Sequence, residues 1–155
     1  MARIDVIGCL RGYDRSVRVT VFEYDDMLVF DKARELYWFR NGNLSDRKMQ
    51  YPVALDYINK INSSSYGGYN NWRMPDIYEL NHMAMYALDS GWGDVAGHRV
   101  SDYFNSLIFD GLMCDLYWSS TVNLENDWAY GISMSIGKNC YVRKEHDGYV
   151  WPVRS

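Results

Sequence analysis

Disulfide frameworks, metal clamps and basic tracts are what these 155 residues lack. Only three cysteines occur, Cys9, Cys114 and Cys140, and none stands in a CxxC spacing. Three thiols cannot close a disulfide scaffold, so at least one is free, and reduced structural cysteines in a reducing compartment fit the pattern. His82, His98 and His146 are scattered, without the HExxH or clustered spacing of a zinc site, so no metal and no cofactor is expected. Net charge is −4, and no Lys/Arg-rich run appears. The electrostatic footprint of a nucleic-acid binder is therefore missing. No apolar run reaches the length of a membrane span. The first residues also hold no apolar core long enough for a signal peptide. Val6-Ile7-Gly8-Cys9 resembles a lipoprotein cleavage box only superficially, given Arg3 and Asp5 just before it. Synthesis in the cytoplasm is the expectation, with any outside role requiring lysis, a virion or a non-classical export route.

Aromatic side chains are what the chain has in quantity: 14 Tyr and 6 Trp against only 5 Phe. Tyr and Trp couple rigid apolar area to a polar handle, which suits both a core and a binding surface. A chain of this length forms one domain, residues 1–155, and buries enough surface to fold without staples. Val17 to Val21 alternates as a half-buried strand does, and Tyr37-Trp38-Phe39 is a second strand ending at the turn Asn41-Gly42-Asn43. A helix is predicted after Tyr51-Pro52, with Val53, Ala54, Tyr57, Ile58 and Ile61 on one face. A second begins behind Pro75, where Asp76 and Glu79 have the spacing of a capping box, and carries Leu80, Met83, Ala84 and Leu88. Gly91 to Asp115 is glycine-punctuated and yields no assignment. Strands follow over Leu116–Thr121, Trp128–Ile136, Tyr141–Arg143 and Tyr149–Arg154. Strands, then helices, then an antiparallel set predict an α+β fold rather than a doubly wound one.

Four ordered segments stand out. They are Gly67-Gly68-Tyr69-Asn70-Asn71-Trp72-Arg73-Met74-Pro75, Tyr117-Trp118-Ser119-Ser120-Thr121, Ala129 to Ser135, and Tyr149-Val150-Trp151-Pro152-Val153-Arg154. Together they resemble the Lcl-type domain family, named for the C-terminal domain of a collagen-like bacterial adhesin. The resemblance covers residues 29–155 and implies a C-type-lectin-like fold, two helices with antiparallel strands and long irregular loops. Residues 1–28 have no family counterpart and read as an extra N-terminal strand pair or an assembly arm. Asn71, Met74 and Trp151 depart from the family's usual Asp, Leu and Arg. Trp72, Arg73, Pro75, Trp118, Ser119 and Ser120 read as frame: aromatic rings in the core, Arg73 donating to carbonyls or a carboxylate, and hydroxyls satisfying backbone groups.

The resemblance also implies where recognition lies. In family members diversified by phage and bacterial retroelements, the closing strands and loops face the ligand. The corresponding positions are Val122, Asn123, Leu124, Asn126 and Trp128, then Ser133, Ile136, Lys138 and Asn139, and finally Tyr141, His146 and Trp151. Trp128, Tyr141 and Trp151 are the expected aromatic anchors among adaptable amides. The expected partner is a protein or glycan on a cell or particle surface, and a homo-oligomer, a trimer among the forms, is also implied. No catalytic residue is expected. The competing readings are a cysteine enzyme like the formylglycine-generating oxidases, resting on Cys114, Cys140 and His146, and a purely structural domain of a phage or surface complex. Glu125 and Asp127 offer hard oxygens to a cation but lack the calcium-lectin triplet.

Overall fold

The computed structural model describes residues 2–6, 19–93 and 97–155. Cys9 and the Gly8-Cys9 end of the cleavage-box resemblance lie outside the described residues. The architecture is α+β, as the order of segments predicts. Strands β1 (Ala2–Val6), β2 (Val19–Tyr24), β3 (Leu28–Asp31) and β4 (Leu36–Phe39) run as an antiparallel meander. Helices α1 (Tyr51–Ser63), α2 (Ile77–Asp89) and α3 (Val100–Asn105) follow, with a single 3-10 turn at Tyr66–Gly68. Then come β5 (Leu116–Val122), β6 (Trp128–Ser133), β7 (Asn139–Arg143) and β8 (Val153–Arg154). One sheet has the order β1-β2-β3-β4-β8 and the other β5-β6-β7.

Local chemistry explains the corners. The Asp25 carboxylate accepts from the backbone N–H of Met27 at 2.8 Å and of Leu28 at 2.7 Å, which turns the chain from β2 into β3. Asp25-Asp26 is thus a turn. Pro52 lies in the first turn of α1, where its missing N–H costs nothing. The buried face of α1 is Tyr51, Ala54, Ile58 and Ile61, while Val53 of the predicted stripe points outward. At α2 the capping box forms in full: Asp76 accepts from the Glu79 N–H, and Glu79 accepts from the Asp76 N–H, each at 2.8 Å.

Two features depart from the sequence reading. The unassigned region holds α3, whose Val100 and Ser101 N–H groups bond to the Ser135 and Met134 carbonyls beyond β6. The predicted closing strand Tyr149–Arg154 is a staple rather than one strand. Gly148 exchanges two bonds with Met49, Tyr149 with Leu116 and Trp118, and Val153 with Arg73. Only Val153 and Arg154 join a named sheet, beside β4. Pro152 has no N–H to donate, which helps to break a continuous ladder there.

The core between these layers is aromatic. Trp38, Trp118 and Trp151 are each fully buried. Trp151 packs at 4.6 Å from Trp38 and edge-on at 5.1 Å from Phe109, and Phe39 stacks on Trp72 at 3.9 Å between ring centroids. Three of the buried indoles have a backbone acceptor, Trp72 on Tyr66, Trp118 on Met49 and Trp151 on Phe39, whereas the buried Trp38 Nε1 has no partner among the described residues. Those bonds offset the cost of taking an N–H out of water.

Candidate functional site

The residues of the paired motifs build the frame. Arg73 makes a two-pronged ion pair with Glu79, at 2.6 and 2.8 Å, so one glutamate serves both the helix cap and the arginine. Burial works to raise the Glu79 carboxyl, but the bonds from Arg73 and the Asp76 N–H outweigh it and leave the group below its ordinary range. Ser119 Oγ donates to the Tyr130 carbonyl at 2.7 Å, and the Ser120 N–H donates to the Pro75 carbonyl at 2.8 Å. Thr121 Oγ1 accepts from the first N–H of α2, that of Ile77. The YWSST segment therefore ties β5 to the start of α2 and to β6.

A different arrangement occupies the outer part of the three-stranded sheet. Two bonds fix the parity of the β6–β7 ladder: the Ser133 N–H donates to Lys138 O, and the Lys144 N–H to Asp127 O. Trp128 with Arg143 and Tyr130 with Tyr141 are therefore non-hydrogen-bonded pairs, the kind that brings side chains closest. Alternation sets Trp128 and Tyr130 on one face of β6, and Tyr141 and Arg143 on the same face of β7. Tyr141 lies between its neighbours, 5.0 Å from Trp128 and 4.7 Å from Tyr130, with interplanar angles of 31° and 33°. The Arg143 guanidinium lies 5.8 Å from the Trp128 ring. Gly131 permits the close approach of β5 behind this ladder, since a Cβ there would meet the Tyr117 carbonyl oxygen at 2.5 Å.

Amides lock the ladder from the β5–β6 loop. Asn123 Nδ2 donates to the Tyr141 hydroxyl at 3.0 Å, and that hydroxyl donates to Asn126 Oδ1 at 3.1 Å. Asn126 Oδ1 also accepts the Trp128 N–H, while Asn123 Oδ1 accepts the Glu125 N–H and shapes the loop. Leu124 at its tip is 94 % exposed.

Not all of the predicted surface is gathered here. Asn123, Asn126, Trp128 and Tyr141 come together, with Val122 half-buried at the end of β5 and Leu124 above them. Ser133, Ile136 and Lys138 sit toward the opposite end of the hairpin, Ser133 roughly 16 Å from Trp128 at about 3.3 Å per residue, whereas Asn139 is two residues from Tyr141 on the same face, roughly 7 Å away. That turn rests against the body, because Gly137 faces the Leu88 side chain. His146 is exposed in the tight turn after β7, its N–H bonded to Arg143 O. Trp151 is a correction: it has no exposed surface, and its Nε1 donates to Phe39 O in the core, so it is not a ligand-facing anchor. Sequence reasoning missed Tyr130 and Arg143. Their signal was the i, i+2 alternation with Trp128 and Tyr141, hidden because Tyr130 falls inside a family-like strand motif.

Cys114 and Cys140 are free thiols rather than a disulfide pair. Burial pushes the Cys140 thiol up, the direction opposite to nucleophile activation. Among the described residues no group of three or more His, Cys, Asp or Glu side chains converges as metal ligands would, and no helix is long and apolar enough to cross a membrane.

Compared with known proteins, residues 27–154 match the family model described as the Lcl C-terminal domain. Among curated proteins, none matches the chain.

Proposed function

Because this chain belongs to the Lcl C-terminal domain family, we propose that it is a non-enzymatic recognition module whose contact surface is the Trp128–Tyr141–Tyr130 ladder. Membership supports a binding or recognition role at family level, and the α+β architecture is compatible with the family's C-type-lectin-like form. The observation that carries the finer reading is the ladder itself: three large rings ordered by one another and by Asn123 and Asn126, at a sheet edge where Tyr141 stays 37 % exposed. Rings already held in place lose little conformational entropy when a partner docks, so more of the contact energy appears as affinity. Amide, guanidinium and carboxylate groups at Asn123, Asn126, Arg143 and Glu145 supply a polar rim around that apolar centre.

The target in this reading is a protein or glycan on a cell or particle, in a phage or retroelement-linked setting. Purified protein applied to intact bacterial cells and to a glycan array tests it. Binding should fall at least roughly tenfold in Trp128→Ala and Tyr141→Ala variants that keep their thermal unfolding transition. Undiminished binding by both variants would remove the ladder from the site. A neighbouring reverse-transcriptase gene, with a near-copy of the segment encoding the closing strands that differs at adenines, is the expected genomic sign of diversification. Without it the reading contracts to a binder of fixed specificity.

A further inference from the structure

The ladder that places Tyr141 on the aromatic face also decides where its backbone points. In the β6–β7 pairing, Val142 and Cys140 exchange bonds with Ala129 and Gly131, so the N–H and C=O groups of Asn139 and Tyr141 face away from β6. β7 is the last strand of its sheet. Among the described residues no backbone hydrogen bond reaches those outward groups. The opposite edge of the same sheet is closed, because Tyr149 bonds along β5 to Leu116 and Trp118. Among the described residues, one edge of this small sheet is thus sealed and the other is an open template, of the kind folds usually cover.

We propose that β7 pairs antiparallel with β7 of a second copy of this chain, in a two-fold register centred on Cys140. The symmetric registers that pair the outward groups of both Asn139 and Tyr141 with residues of β7 itself centre on Tyr141 or on Cys140. Centring on Tyr141 sets Lys138 opposite the other copy's Lys144, a like-charge contact. Centring on Cys140 sets Asn139 opposite Tyr141, Lys138 opposite Val142 and Arg143 opposite Gly137, with no like charges facing. In this register both outward N–H groups and both outward carbonyls of Asn139 and Tyr141 gain partners. The two aromatic ladders then lie side by side on one six-stranded surface, and each copy contributes Asn139 beside the other's Tyr141. This goes beyond the recognition reading and does not depend on it.

The register makes a chemical forecast. Cys140 and its symmetry mate form a non-hydrogen-bonded pair, whose Cα atoms stand about 4.5 Å apart. That lies within the Cα range of about 4.4–6.8 Å that a disulfide accepts. The experiment uses the full chain with Cys9→Ser and Cys114→Ser, leaving Cys140 as the sole thiol. Copper phenanthroline in air supplies the oxidant, which takes an electron and a proton from each of two thiols to form one disulfide. The expected results are a covalent dimer on non-reducing gels and a concentration-dependent dimer by sedimentation under reducing conditions. Asn139→Pro removes an outward donor without touching a β6 bond. It should cut the cross-linking rate at least roughly tenfold and shift sedimentation toward monomer while the unfolding transition is kept. A monomer at all concentrations overturns the proposal, as does a dimer that Asn139→Pro leaves unchanged, or a reduced dimer that will not cross-link through Cys140.

Discussion

The protein holds two groups of tightly packed aromatic rings, and they differ in what their polar atoms bond. In the core, the Trp72, Trp118 and Trp151 indoles each donate to a backbone carbonyl: those of Tyr66, Met49 and Phe39. On the outer β6–β7 surface, the Tyr141 hydroxyl bonds, among the described residues, only to the side chains of Asn123 and Asn126. A bond to main chain fixes where segments run, so the ring cannot change without moving the fold. A bond to another side chain fixes only the two residues concerned. Ring spacings near 5 Å occur in both groups, so packing alone does not separate them. For these three indoles and this hydroxyl the kind of partner does, while Trp38 Nε1 in the core has no partner among the described residues.

That contrast breaks most visibly at Trp151. Trp151→Arg restores the residue common in the family, yet here it would bury a cation among Trp38, Phe104 and Phe109. A loss of at least about 4 kcal/mol is expected from the cavity and the unpaired charge, read as a collapse of the urea unfolding midpoint. If Trp151→Arg folds with near-native stability, the distinction between the two groups fails at its strongest point.

Glu79 tests the frame at intermediate size. Glu79→Gln should cost about 1–2 kcal/mol near neutral pH, by weakening the cap and the Arg73 pair together. The carboxyl is held below its ordinary range in the folded protein. Its stabilisation is therefore complete above the unfolded carboxylate range and is lost as pH falls through the folded value. The gap in chemical-denaturation free energy between Glu79→Gln and the unaltered chain should shrink on acidification, and a constant gap would assign the effect to packing.

On the ladder the effects should be smaller and of another kind. Trp128→Ala should change stability by no more than about 1 kcal/mol, the scale of an exposed aromatic pair. A drop in melting temperature as large as that of Trp151→Arg would place Trp128 in the frame. Tyr141→Phe is finer still: about 0.5 kcal/mol or less of stability, with a several-fold faster dissociation from whatever cell or glycan the unaltered chain captures. Equal dissociation rates would show that the Asn123–Asn126 lock is dispensable.

How much of this could be read in the sequence follows from the distance over which each feature is decided. Asp76 and Glu79 are three positions apart, and the capping box forms as their spacing predicts. The Asp25 turn is equally local. Helix α3 escaped detection because six residues between glycines carry too little periodicity to register. Trp151 was misplaced because its burial depends on Phe39, 112 residues away, and nothing in the closing motif signals that partner. The ladder was half legible: Trp128 and Tyr141 stood out as aromatic residues near amides, whereas Tyr130 and Arg143 required the strand pairing to be known.

The closing staple has a kinetic consequence. Hairpin β6–β7 joins neighbours across a short turn, and such pieces form within about 1–10 μs. The segment from Gly148 to Arg154 must instead find Met49, Arg73 and Trp38, contacts whose loops are long and whose closure is slow. The β6–β7 hairpin is therefore expected to order before the indole of Trp151 reaches its carbonyl, so that insertion of this ring falls late in folding.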